Sequence, residues 1–174
     1  MPVTAFGLPA WVDTVLPLIE NRVARQAGFD PSRVFSYLGD PAALLKASPA
    51  PQFVAVAPDD FPVDQAAVKG GGAEFTLFAG RFRLNVFTLL GTDRELADSR
   101  LMRDRSFGAA AAVRRVAKAV QVWVPYESDG TSCRLVEPAR LVRVKFNPRT
   151  PPTGWSWAEV IVEAKFRTDF TTAG

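Results

Sequence analysis

Histidine is absent from all 174 residues, and cysteine occurs once, at Cys133. Without an imidazole, neither a Ser-His-Asp nor a Cys-His nucleophile can be built in its usual form. Zinc sites that rely on imidazole are excluded with them, and one thiol cannot take their place. Histidine is also the side chain best matched to proton transfer near neutral pH. Carboxylates alone could still support hydrolysis, and Glu159 and Glu163 fall on one face of a strand-like segment. Four residues apart on a strand is about 13 Å, wider than glycoside chemistry uses. The expectation is a protein that is not an enzyme and needs no cofactor or metal.

Other absences narrow the setting. A lone cysteine forms no internal disulfide, so nothing points to an oxidising compartment. No apolar run approaches the roughly 18 residues that cross a bilayer. Residues 1–10 lack the basic start and continuous apolar stretch of a signal peptide. An intracellular product, or one assembled inside a cell, is expected, with no membrane partner.

The composition that remains is that of one globular domain spanning 1–174, large enough to bury a core without metals or disulfides. The net charge of +3 is unevenly spread. Residues 1–72 carry five Lys/Arg against seven Asp/Glu, 73–149 fourteen against eight, and 150–174 two against three. A basic middle section suits a polyanion such as DNA. It is also what a solvated, mixed-charge surface looks like.

Along the chain, Val12, Val15, Ile19 and Val23 recur at helical spacing and predict a helix over 9–27. Pro17 is expected to kink it or to delay its start to about Thr14. Gly28 then supplies the stop. Short strands are predicted over 33–38 and 52–57, with one or two helical turns at 42–47 between them. The prolines around 52–57 suit an edge or near-edge place.

Residues 58–72 and 147–154 read as long loops. Gly70-Gly71-Gly72 follows Lys69 and precedes a strand, the reverse of a phosphate-binding loop, so a flexible hairpin loop is the reading. Asp59-Asp60 reads as a turn more readily than as a cation site.

Residues 74–90 form the longest strand-like run. Phe75, Leu77 and Ala79, then Phe82, Leu84 and Val86, alternate with Glu74, Thr76, Arg81, Arg83 and Asn85. Straight, the run would reach about 55 Å, against a width of about 40 Å for a compact domain of this size. It should therefore bend at Ala79-Gly80, where the alternation slips, or project. A helix over 106–122 buries Ala109, Val113, Val116 and Val120 and groups Arg114, Arg115 and Lys118 on another face. Strand pieces at 132–136 and 140–146 and a closing strand at 155–170 follow. The two long strands can lie side by side. The sum is an α+β fold: a mostly antiparallel sheet of about four to five strands, covered on one face by two helices, with long protruding loops and a loose tail at 171–174.

Several features together resemble the tail terminator family of long-tailed bacteriophages. They are the opening helix with Arg33-Val34-Phe35 after it, the Pro-flanked strand from Pro51 to Pro58, and the alternating strand running into a charged loop (Phe75 to Arg94). The Ala/Val-rich helix from Ala109 to Val120 and the strand from Trp157 to Phe170 complete the likeness, which covers roughly residues 9–170. It implies a virion tail or neck protein, assembled in the host cytoplasm. Such proteins form a ring, generally a hexamer, on the tail tube, halt its polymerisation and meet the head-to-tail connector, or stopper, protein. DNA later passes through the channel. Partners would be further copies of this chain, the tail tube protein, the connector and, transiently, DNA. Another neck or connector component has overlapping architecture.

On that reading, Gly70, Gly71, Gly72, Phe75, Trp155 and Trp157 are candidates for subunit or partner contacts. Arg81, Arg83, Arg114, Arg115 and Lys118 are candidates for a channel-facing basic set. Each has a plainer reading: the strand at 74–90 as a central core strand, the tryptophans as core or rim packing, the cations as solvated or paired with acids. A different class also stays open, a nucleic-acid-binding module using the basic 81–118 region. That module would want aromatics among the cations on an exposed sheet face.

Overall fold

The structure is a computed structural model, and it describes residues 8–47, 50–60, 75–89, 109–123, 139–149 and 154–169. Helix α1 spans Leu8–Ala27. Its 3.6-residue period brings Val15, Ile19 and Val23 into the core. The helix runs through Pro17 from Leu8, without the expected late start at about Thr14. Pro17 itself is exposed. Burial of Ile19 and Val23 to 0% exposure offsets the roughly 3 kcal/mol an interior proline costs.

The stop is the predicted one. Gly28 takes φ +69°, and the Phe29 N–H reaches back to the Ala24 carbonyl at 3.1 Å. Phe29 is buried, which supplies the apolar contact that accompanies such an ending. Nothing lies within 4 Å of where a Gly28 Cβ would stand, so only backbone strain opposes a side chain there. Gly28→Ala is expected to lose about 1 kcal/mol, as left-handed backbone demands of an L-residue, read as a shift in urea midpoint at unchanged slope.

Among the described residues six strands form one sheet: β1 (Val34–Ser36), β2 (Gln52–Pro58), β3 (Phe75–Leu89), β4 (Val122–Trp123), β5 (Ala139–Phe146) and β6 (Trp155–Asp169), in the order β1-β2-β3-β6-β5-β4. Only β1 and β2 run parallel. Helix α2 (Pro41–Ala47) joins those two, and α3 (Ala109–Ala119) follows β3. The fold is α+β with a mostly antiparallel sheet, as expected. The two-residue β4 takes the strand count past five; a pair of residues leaves no alternation to read.

The two long strands pair with each other through all fifteen residues of β3, from Phe75↔Asp169 to Leu89↔Trp155. The register does not slip at Ala79-Gly80, which face Lys165 and Ala164 in step with the rest. The irregularity sits instead on β5, between Leu141 and Arg143. Strands β1 to β3 thus occupy one side of the sheet and β4 to β6 the other, meeting along the β3–β6 seam.

Helices α1 and α3 cover one face, over Val54, Val56, Phe82, Leu84, Val160 and Val162. Ala112 and Ala119, both buried, keep α3 close to its neighbours. The Arg22 guanidinium of α1 donates to the Ala119 carbonyl at 2.9 Å, placing a cation at the carbonyl end of α3. The second face is also partly covered. There α2 sets Leu45 over Phe53, Phe87, Trp155 and Trp157, with Phe35 and Tyr37 at the margin. No helix among the described residues is long and apolar enough to cross a membrane.

Candidate functional site: a bare ribbon, a bare strand edge and a charged sheet face

β2 stops pairing with β3 at Pro58↔Phe82. Asp59 and Asp60 continue the ladder by one step, through backbone bonds of 2.7 and 2.8 Å with Arg81. On the other flank β5 stops at Arg140↔Glu163. Beyond those points residues 75–80 and 164–169 pair, among the described residues, only with one another. Six residues of strand extend about 20 Å. A two-stranded ribbon of that kind is marginal in water without a third strand or a covering layer.

A second edge is open on β5. β4 reaches only Ala139 and Arg140, and the Leu141 N–H finds the Gln121 carbonyl at 3.1 Å. Residues 142–146 have no outer neighbour among the described residues. Val142 and Phe146 are 47% and 48% exposed, unusual for large apolar side chains.

Between the two edges lies a charged face. Alternation along β3 and β6 puts Arg81, Arg83, Glu159 and Glu163 on the side away from α1 and α3. Glu163 accepts from Arg81 Nε at 3.1 Å and from Arg140 Nη2 at 3.0 Å. Burial opposes its ionisation, yet these two guanidiniums outweigh that and hold its carboxyl below the usual range. The same bond from Glu163 raises Arg81, with Asp60 at 3.5 Å adding to it. Arg83 pairs with Asp59 and stands 3.8 Å from Glu159. Arg143 and Lys145 are exposed on β5, opposite Ile161 and Glu159. Glu159 and Glu163 of β6 are therefore engaged internally, and Arg143 and Lys145 of β5 face solvent. Arg143 and Lys145 were not among the sequence candidates; four Lys/Arg and no acid over 139–149 was the available signal.

The structure sorts the candidate residues into separate places. Phe75 opens β3 at the ribbon's tip, paired with Asp169. Gly70, Gly71 and Gly72 lie outside the described residues. Trp155 and Trp157, expected at a contact surface, are inside the protomer at 5% and 2% exposure. Trp157 stacks near Phe87 at 5.4 Å and donates its indole N–H to Asn85 Oδ1 at 3.0 Å. Both tryptophans are core residues, because aromatic rings from β2 and β3 and the leucines of α2 close over them.

The five basic candidates do not form one surface. Arg81 and Arg83 are on the open sheet face, already paired with acids. Arg114, Arg115 and Lys118 are on α3, which packs on the opposite face. Arg115 is tied into the fold, 5.4 Å over the Phe29 ring and bonded to Gln52 at 3.3 Å. Arg114 and Lys118 are exposed.

No protein-family model matches the chain. No curated protein matches it. Among solved structures, it is similar to a chain of the virion of the native gene transfer agent (GTA) particle, with a TM-score of 0.50 at 15% identity. That likeness covers 91% of this chain and 98% of the other. At this identity the shared property is the fold.

Proposed function

We propose that this chain is a phage-type structural virion protein whose copies close into a ring at the end of a tail tube. The ring stops tube growth and offers its far side to the head connector, its work being geometric. The observation that carries this reading is the ribbon of residues 75–80 and 164–169, a stretch of paired backbone with both edges bare among the described residues. Such a ribbon gains from a third strand or a covering layer, and a neighbouring copy can supply one. The likeness to a chain of the GTA virion, spanning nearly the whole of both, supports a virion setting. The resemblance to tail terminators supports the capping role within it.

A nucleic-acid-binding module built on 81–118 is less well supported. Arg81 and Arg83 are spent on Asp59, Asp60, Glu159 and Glu163, and the cations of α3 lie on the other side of the sheet. The test is assembly. Light scattering and negative-stain images of the purified chain, alone and with polymerising tail tube protein, are expected to show an annulus and tubes of arrested length. A monomer that neither associates with tubes nor alters their growth defeats the reading.

A further inference from the structure

We infer that the contact between copies is strand addition: the bare β3 edge of one protomer's ribbon, residues 75–80, pairs with the bare β5 edge of the next, residues 142–146. The inference rests on the ring reading above and names the surfaces that would build it.

Besides the outer ribbon strand, residues 164–169, four edges of the sheet are available among the described residues. β1 is three residues long and β4 two, too short to fix a register. The remaining two are matched in length, six residues of ribbon against five of β5.

Charge decides how they combine. β5 carries Arg143 and Lys145, both exposed, between the exposed Val142 and Phe146. Pairing β5 with another β5 would set these cations against each other, which destabilises a ladder. The outer ribbon strand, 164–169, brings Lys165 and Arg167 to the same conflict. Residues 75–80 carry no charge, so this edge alone meets β5 without repulsion. The same cations and the irregularity at Leu141/Arg143 guard β5 against indiscriminate pairing. A contact that uses one edge to give and a different edge to receive is heterologous, and it closes into a ring when the rotation between subunits allows.

The test uses chains in which Cys133 is replaced by Ser. One set carries a single cysteine within 75–79, beginning with Thr76→Cys; the other carries Val142→Cys. After treatment with a short bis-maleimide, a mixed cross-link is expected only when the two sets are combined. It should be lost when the second chain also carries Phe146→Asp, while its circular dichroism stays that of the parent. The exposure of Phe146 keeps that variant from disturbing the core. Cross-linking of the Thr76→Cys chain with itself alone would indicate a two-fold ribbon pair and overturns the inference. Annuli that form without any mixed cross-link overturn it and leave the ring reading standing. Mixed cross-links in open chains that never close keep the contact and defeat the ring reading. A parent chain that stays monomeric with tubes present defeats both.

Discussion

A Trp157→Ala chain is expected to melt about 10 °C below the parent, for a loss of about 3–5 kcal/mol. Trp157 is among the largest fully buried side chains, and it touches Phe87 while its N–H satisfies Asn85. Truncation removes the ring's burial and leaves a hole that β-strand neighbours cannot collapse into. It also strands the Asn85 carbonyl oxygen, itself 1% exposed as a residue. Trp157→Phe separates the two losses. It keeps most of the volume and forfeits the hydrogen bond, so about 1–3 kcal/mol should go. Equal losses for the two variants would mean that the hydrogen bond, not the packing, dominates. Thermal melts followed by circular dichroism at several scan rates make the comparison.

The second large effect concerns Glu163. Its carboxylate holds Arg81 and Arg140 from two neighbouring strands and is itself buried. Glu163→Gln is expected to lose about 2 kcal/mol at neutral pH, as befits a bonded charge removed from between partners that can turn to water. Arg81 and Arg140 are 39% and 57% exposed, which keeps the loss below that of a sealed ion pair. The sign with pH follows from the depressed folded-state value. The contribution is complete above the ordinary glutamate range near about 4.3. It declines as the pH falls through the lower value set by the fold. The gap between parent and Glu163→Gln should therefore be widest at neutral pH and close in acid. A gap that widens on acidification contradicts the assignment. Urea unfolding at pH 7, 5 and 3 decides.

Much of this fold was legible because local chemistry and tertiary packing agree. Gly28 ends α1 through a conformation that glycine adopts freely, and Ala158, Val160, Val162 and Ala164 alternate because helices cover that side of β6. The slip read at Ala79-Gly80 has a different origin. Past Arg81 no neighbouring strand or helix among the described residues dictates which side is apolar, so alternation there stops reporting the register. Ala79 lies in register on the Arg81 side rather than with Phe82. The tryptophans misled for a related reason. Trp157 shares its side of β6 with Glu159 and Glu163, which reads as solvent-facing. Its cover comes from Phe53 and α2, about a hundred residues earlier in the chain. Nothing local to Trp157 signals that cover. The pairing of Glu163 with both Arg81 and Arg140 was equally hidden, because it needs the strand order. β4 was missed because Val122-Trp123 is too short to show a period.

The β3–β6 seam bears on how the chain reaches this state. Its partners are between 66 and 94 residues apart in sequence. A large loop must close before the central ladder can begin, and closure entropy is spent before contacts repay it. The half holding β1 to β3 and the half holding β4 to β6 are each contiguous in sequence. Their docking is expected to be the late, slow event in folding, which stopped-flow refolding would show as the slowest phase. Until it occurs, each half presents a long strand with one edge unpaired, so newly made chains are expected to be most prone to aggregate in that interval.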